Sequence, residues 1–291
     1  MTNRLSLDKV NALDDQTFVA TFAAVYEHSP WVAEKAAALR PFASVTALAA
    51  AFAGTVAASD ETAKLSLLRA HPDLAGRAAV GGDLTDASRL EQASAGLDSL
   101  TPDEMDRFTQ DNALYRERFT FPFILAVKHW NKAHILAAFG GRLNNNATVE
   151  RTTALAEVDK IAFSRLLDLV APAPSGRLTT HVLDTAQGRP AAGLPVELVQ
   201  IAKDGERLVK RATTNADGRL DQPLLAGAEM SAGLWRLTFG AGAYFLATGQ
   251  TLTAPAFLDL VPIRFAIANP ELHYHIPLLL SPWSYSTYRG S

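Results

Sequence analysis

APAPSG, residues 171–176, divides the chain into two stretches whose apolar residues recur with different periods. Proline lacks a backbone donor and turns the residue before it away from the α region, so two prolines and a glycine within six positions end any helix. Upstream, from Asp14 to about Val170, apolar residues recur at helical spacing, as in Phe18, Phe22 and Val25 or Leu155, Val158 and Ile161, among Ala-rich runs. Downstream the period is two: Leu194, Val196 and Leu198 alternate against Pro195, Glu197 and Val199, with turn signals at Asp204-Gly205 and Asp217-Gly218. The expected architecture is an all-α N-terminal domain, residues 1–170, a linker at 171–176, and an all-β sandwich, residues 177–291.

Composition agrees with two globular domains. The chain has 291 residues, 48% of them hydrophobic and 20% charged, enough for a core in each half. A formal charge of -3 supplies no bulk attraction to nucleic acid or to an anionic membrane. Without cysteine there are no disulfides, thiol nucleophiles or thiolate metal sites. The start, MTNRLSLDKVNALDD, lacks the order of a signal peptide, and no apolar run reaches the length of a membrane span. A cytoplasmic location is expected.

In the helical half, Thr101-Pro102-Asp103-Glu104 offers a capping hydroxyl, a proline at the first helical position and a carboxylate that can bond back, so a helix is predicted from there to about Arg118. HPDLAGR, residues 71–77, is followed by LTDASRLEQASAGL, residues 84–97. On a helix, Ser88, Glu91 and Gln92 share one face, while Leu90 and Leu97 point elsewhere. A solvated polar face is the commoner meaning of such a pattern. His71, ahead of Pro72, stands where the preceding helix must stop, at the rim of a pocket or simply at the surface.

HPDLAG and the Ser-x-x-Glu-Gln face, together with EHSPW (27–31), FTFPFI (119–124) and IAFSRL (161–166), resemble the 2-oxo-4-hydroxy-4-carboxy-5-ureidoimidazoline (OHCU) decarboxylases over nearly the whole helical half. The resemblance implies His71 and Glu91 as catalytic residues. It implies Pro72, Ser88, Gln92 and Arg165 as substrate-binding groups, with the chain from Phe119 through Thr120, Phe121, Pro122 and Phe123 to Ile124 lining the pocket. Thr120 stands where that family more often has glycine, a change tolerable if its φ is negative. Decarboxylation leaves carbanion-like charge and a carbon to be protonated; an imidazole can move that proton, and a carboxylate can orient ureido N–H groups. Which of His71 and Arg165 faces the departing carboxylate is left open by the sequence.

In the strand-rich half, HVLDT (181–185), NADGR (215–219) and the final HIPLLLSPWSYSTYRGS (275–291) resemble the 5-hydroxyisourate hydrolases of the transthyretin-like family. The implied catalytic residues are His181, Arg219, His275 and Ser291, with Tyr288, Arg289 and Gly290 binding substrate in a channel between subunits of a tetramer. His273 shares a strand face with His275, but the position within HYHIP assigns catalysis to His275. Neutral imidazoles can deprotonate water and a guanidinium can stabilise the oxyanion of an opened amide. A zinc site built on the histidines is the competing chemistry, but no carboxylate or cysteine completes a ligand spacing, so no metal or organic cofactor is expected. The two resemblances interlock, because the hydrolase's product is the decarboxylase's substrate. A bifunctional enzyme of urate degradation is expected, converting 5-hydroxyisourate through OHCU to (S)-allantoin as a homotetramer. The rival is a transthyretin-like carrier of a small aromatic ligand, which would lack the histidine and arginine set and the YRGS end.

Overall fold

The computed structural model describes residues 4–75, 85–128 and 130–290. It divides into two compact units, Met1–Ala171 and Pro172–Ser291. The first is helical: α1 Leu7–Ala12, α2 Asp15–Phe22, α3 Trp31–Ala37, α4 Val45–Ala57, α5 Glu61–Arg69, α6 Asp86–Ser94, α7 Pro102–Phe119, α8 Lys132–Arg142 and α9 Ala147–Leu169.

Local sequence explains where these helices begin. Ser6, Asp14, Ser44, Asp60, Thr85, Thr101, Asn131 and Asn146 each occupy an N-cap in extended conformation and accept a first-turn N–H with the side chain. Each such cap contributes about 1 kcal/mol. At Thr101 the full capping box forms, with Glu104 bonding back to the Thr101 N–H, and the helix predicted there runs Pro102–Phe119. The long α9 packs against α4, α5 and α7. Phe18, Phe22, Tyr26 and Phe52 form one aromatic cluster of the core, and Tyr115, Phe123 and Phe139 another. Leu5 bridges Val170, which ties the two ends of the unit together.

The second unit is a sandwich of two sheets. One has the order β2-β1-β8-β9, with β5 also on β1; the other has the order β4-β3-β6-β7. The strands are β1 Arg177–Asp184, β2 Arg189–Pro190, β3 Pro195–Ala202, β4 Gly205–Thr213, β5 Leu225–Ala226, β6 Gly233–Gly240, β7 Leu260–Ile267, β8 His273–Leu280 and β9 Tyr285–Thr287, and α10 spans Ala241–Ala247. β1 and β8 run parallel, pairing Thr179 with His275 and His181 with Pro277. Leu178, Val182, Leu198, Trp235, Leu237, Phe239 and Leu278 fill the space between the sheets.

Two details depart from the simple alternating pattern. The register of β3 on β4 shifts between Leu198 and Val199, where Val209 is the extra residue of a bulge on β4, and Val199 is buried although it alternates with the core-facing Leu198. The residues at the end of the proline-rich segment are also held: Glu271 Oε1 accepts from the Ala173 N–H at 2.8 Å, and Ser175 Oγ donates to the Glu271 carbonyl. That segment therefore belongs largely to the sandwich.

Candidate functional sites

In the helical unit the decisive event is the inward turn of α6. Leu90 is 72% exposed whereas Ser88 and Gln92 are each 6% exposed, so the polar face points into the protein and the leucine to solvent. Helix α5 ends before Pro72, and His71 is buried just beyond it. Its Nδ1 lies 3.1 Å from the Leu67 carbonyl. A carbonyl only accepts, so Nδ1 bears the proton and Nε2 of the neutral ring keeps its lone pair. Burial, reinforced by the charge of Arg165, holds the imidazole below its usual pKa against the opposing pull of Leu67 and Glu27.

Around His71 the side chains interlock. Gln92 fastens the HPDLA turn, accepting the Ala75 N–H at 2.9 Å and donating to the Asp73 carbonyl. Glu91 receives Arg165 bidentately, Nε at 3.0 Å and Nη2 at 2.9 Å. Arg165 Nη1 donates to Glu27 at 2.8 Å and to the carbonyls of Ala24 and Val25, and Nη2 also reaches Ser88 Oγ. All five guanidinium N–H groups thus have acceptors inside the protein.

Glu27, only 2% exposed, is the hub. Its carboxylate accepts from Arg165, from Ser88 Oγ at 3.1 Å and from Thr85 Oγ1 at 2.7 Å. Burial resists its ionisation, but the Thr85 hydrogen bond and the Arg165 charge outweigh burial and hold the carboxyl below the usual range. EHSPW marked this segment in the sequence. Nothing in that segment alone revealed which side chain would meet Arg165.

These groups border a pocket of about 340 Å³, its open mouth included, with His71, Ser88, Glu91 and Gln92 on one side and Pro72, Phe123, Ile124, Leu125 and Val127 on the other. Arg165 does not line it; with Glu91 it borders a separate hollow of about 850 Å³. Of the FTFPFI segment, Phe123 and Ile124 reach the pocket, whereas Phe119 and Phe121 pack around Tyr115 and Pro122 is buried outside the lining. The wall is held from behind. Arg142 Nη1 donates to the Ile124 carbonyl at 2.6 Å, Glu157 accepts the Ala126 N–H, and the buried Glu150 pairs with Arg142 and Tyr115.

Thr120 departs from the condition set by the sequence. Its φ is +66°, the left-handed conformation that closes α7 with its N–H on the Arg116 carbonyl. Its side chain is exposed and outside the pocket lining, so it strains the backbone without narrowing the site.

In the sandwich, alternation along β1 and β8 sends Leu178, Val182, Tyr274 and Ile276 inward and sets Thr179, His181, His273 and His275 on the opposite face of the sheet. Arg219 arrives from a turn. Asn215 Oδ1 accepts the N–H groups of Asp217 and Arg219, while Gly218, at φ +70°, lies so close to β1 that a Cβ would sit 2.3 Å from the Val182 carbonyl oxygen. Arg219 then bridges His181 through the backbone. Burial first, and the Arg219 charge second, lower the pKa of both His181 and His275; His273 and His181 depress His275 further.

The C-terminal tail returns alongside β8, with Gly290 bridging His275 through the backbone. The Gly290 N–H donates to the His275 carbonyl at 2.8 Å, and a Cβ on Gly290 would stand 2.7 Å from His275 Cδ2. Arg289 lies over the Tyr274 ring, and Tyr288 is exposed. Ser291, and Gly76 and Arg77 of the HPDLAGR motif, lie outside the described residues. Thr179 Oγ1 touches both His275 Nδ1, at 2.9 Å, and His273 Nε2, at 2.8 Å. Among the described residues no group of three or more His, Cys, Asp or Glu side chains is arranged to hold a metal.

Comparison with known proteins supplies the context for both clusters. Residues 11–167 match the family model for OHCU decarboxylase, and residues 178–290 that for the HIUase/Transthyretin family. A Rhizobium meliloti protein named 5-hydroxyisourate hydrolase 2 is 57% identical over 117 residues, 40% of this chain and 98% of that protein. A Haloferax volcanii protein named 2-oxo-4-hydroxy-4-carboxy-5-ureidoimidazoline decarboxylase is 48% identical over 166 residues, 57% of this chain and 96% of that protein. The crystal structure of an (S)-allantoin synthase aligns over 99% of this chain and 100% of its own, at 38% identity and a TM-score of 0.83.

Proposed function

Because the chain belongs to the OHCU decarboxylase family through its helical unit and to the HIUase/transthyretin family through its sandwich, we propose a division of labour between the two side-chain clusters. The protein is a bifunctional enzyme of urate degradation: it hydrolyses 5-hydroxyisourate to OHCU and decarboxylates OHCU to (S)-allantoin and CO2. The observation that carries this reading is the presence of both families in one chain, in the same order and over the same length as the (S)-allantoin synthase structure.

In the sandwich, Arg219 polarises the carbonyl under attack while His181 and His275 manage water and protons. Their depressed pKa values favour the neutral rings a base requires. Tyr288, Arg289, Gly290 and Ser291 bound the substrate, and the absence of a side chain at Gly290 leaves room for the His275 ring.

In the helical unit, the C–CO2 bond breaks and its electron pair delocalises into the adjacent ring system. His71 Nε2 takes the substrate hydroxyl proton and delivers it to the carbon as the hydroxyl becomes a carbonyl, while the ring nitrogen that received the electron pair takes one proton from solvent; the imidazole ends as it began. Glu91 retains lone pairs beyond those held by Arg165 and orients the ureido N–H groups; Gln92 and Ser88 shape the same wall. The substrate-binding part of Arg165 is indirect. Its N–H groups are engaged by Glu91, Glu27, Ser88 and two carbonyls, so Arg165 acts by holding Glu91 and Ser88 in the pocket wall.

No helix among the described residues is long and apolar enough to cross a membrane, and we place the enzyme in the cytoplasm. The assembly we propose is a homotetramer built on the sandwiches, covering the face that presents Thr179, His181, His273 and His275. Light scattering reads the assembly directly; a monomer with full hydrolase activity would refute it. The function is tested by supplying freshly generated 5-hydroxyisourate and following absorbance together with circular dichroism. Accelerated loss of substrate followed by a signal of one sign is expected. Replacing His275 or Arg219 by alanine should remove the first step, costing about 3–4 kcal/mol of transition-state stabilisation for a lost oxyanion donor, with decarboxylation of supplied OHCU intact. Near-normal hydrolysis by either variant would overturn the site.

A further inference from the structure

His273 is left without a part in the scheme above, yet it shares one hydroxyl with His275. The Thr179 hydroxyl has a single proton and touches two imidazole nitrogens, His275 Nδ1 at 2.9 Å and His273 Nε2 at 2.8 Å. Its one proton can go to only one of the two rings, so at least one of these nitrogens donates to the hydroxyl. For a neutral His275, the two directions of its contact with Thr179 place opposite tautomers on the ring.

The surroundings of His275 choose between them. Nδ1 is taken by Thr179, and the Cδ2 edge is covered by the Gly290 backbone, so Nε2 is the nitrogen left for chemistry. The charges that reach His275 from neighbouring elements are those of Arg219 and His181, together with His273 on its own strand; Arg177 acts on His273. Near a guanidinium, an Nε2 lone pair is favoured over an Nε2–H, whose positive end would face another cation. That selects the arrangement in which Nδ1 carries the proton.

We propose that Thr179 and His273 are positioning residues of the hydrolase: a chain from His275 Nδ1–H to Thr179 Oγ1–H to His273 Nε2 holds His275 in the tautomer whose Nε2 can accept a proton from water. The balance closes on one nitrogen. Water gives its proton to Nε2 as its oxygen bonds to the carbonyl carbon; Nε2 returns that proton to the ring nitrogen as the carbon–nitrogen bond breaks, and His275 is neutral again. Throughout, Nδ1–H stays on Thr179, and the growing positive charge strengthens that hydrogen bond. Strand pairing of Thr179 with His275 across β1 and β8 makes the chain possible, since partners across parallel strands project to the same face.

This inference rests on the assignment of His275 to the hydrolase, and the experiment separates the two. Hydrolysis of freshly generated 5-hydroxyisourate is measured for Thr179→Val, Thr179→Ser, His273→Phe, His273→Gln and His275→Ala in the full chain, with OHCU decarboxylation by the same preparations reporting an intact protein. Thr179→Val and His273→Phe should lower kcat about tenfold to a hundredfold, the scale of an orienting partner behind a catalytic imidazole, with KM nearly unchanged. Thr179→Ser should restore the rate, and His273→Gln, whose amide oxygen can still accept from Thr179, should lie between. In ¹⁵N-histidine spectra of the wild type, the His275 resonance should show protonated Nδ1. A protonated Nε2, a Thr179→Val enzyme with wild-type kcat, or a Thr179→Ser enzyme as impaired as the valine variant would overturn the chain while leaving His275 in place. An active His275→Ala would instead remove the assignment on which it rests. Should Thr179→Val not fold, the two His273 variants and the spectrum decide.

Discussion

Replacing Glu27 by glutamine changes one charge at the centre of the helical unit while keeping the side chain's shape. The carboxylate accepts from Thr85 Oγ1 at 2.7 Å, Ser88 Oγ at 3.1 Å and Arg165 Nη1 at 2.8 Å, and is 2% exposed. An amide keeps one acceptor oxygen and puts a donor where the other oxygen met a donor. Breaking a buried ion pair outright costs about 3–5 kcal/mol. Arg165 keeps Glu91 as a second partner, and the Thr85 and Ser88 hydroxyls can rotate to accept from the amide. We therefore expect a loss of about 2–3 kcal/mol, between a single charge-assisted hydrogen bond and the full pair. For a unit of this size that lowers the melting midpoint by roughly 5–10 °C. Because burial is outweighed and the Glu27 carboxyl is depressed below 4.5, its contribution is fully present above that pH and is lost as pH falls through the folded-state value. The wild type and the variant should converge in acid. The assay is thermal unfolding of the full chain from pH 3 to 7, with OHCU decarboxylation and 5-hydroxyisourate hydrolysis measured in parallel. Decarboxylation should fall by about tenfold through the loosened Arg165 and Glu91, and hydrolysis should hold. Unchanged melting of the helical unit with unchanged decarboxylation would refute the reasoning that Glu27 organises the site.

Three further outcomes are expected. His71→Asn should stop formation of optically active allantoin while 5-hydroxyisourate is still consumed, giving racemic product by slow decay of OHCU; chiral product at the wild-type rate would remove His71 from the mechanism. Gly290→Ala forces a Cβ to within 2.7 Å of His275 Cδ2, so the tail or the imidazole must shift, and hydrolase kcat should drop about tenfold or more without loss of the fold; full activity would show that the tail does not position His275. Thr120→Gly relieves a left-handed threonine, worth about 1–2 kcal/mol, against roughly 0.5–1 kcal/mol of added chain entropy, so denaturant unfolding should show a net gain of about 0.5–1 kcal/mol in the helical unit, and a loss would contradict the strain reading.

The fold class was legible because it rests on local rules. Period 3.6 before APAPSG and period 2 after it reflect which side chains must face a core, and the caps at Thr101 and Asn146 are set by residues within one turn. Motif spelling also pointed to His71, Glu91, His181, Arg219 and His275 as candidates, because short stretches such as HPDLAG and NADGR bring a turn and a candidate side chain together. What the chain's order could not express is which distant groups meet. Ser88, Glu91 and Gln92 read more readily as a solvated helix face until the fold turned Gln92 onto the 73–75 turn and Ser88 and Glu91 onto Arg165, which itself pairs with Glu27 138 positions away. The saturation of Arg165 is a property of acceptors on five residues drawn from two segments, 24–27 and 88–91, and neither segment alone predicts it. Likewise Thr179 and His273 are 94 positions apart and share a hydroxyl only because β1 and β8 pair in parallel at that register. Local sequence decides which elements form and which side chains are available; burial and long-range pairing decide which of those side chains are desolvated together, and so which acquire shifted charges, fixed tautomers and a part in the chemistry.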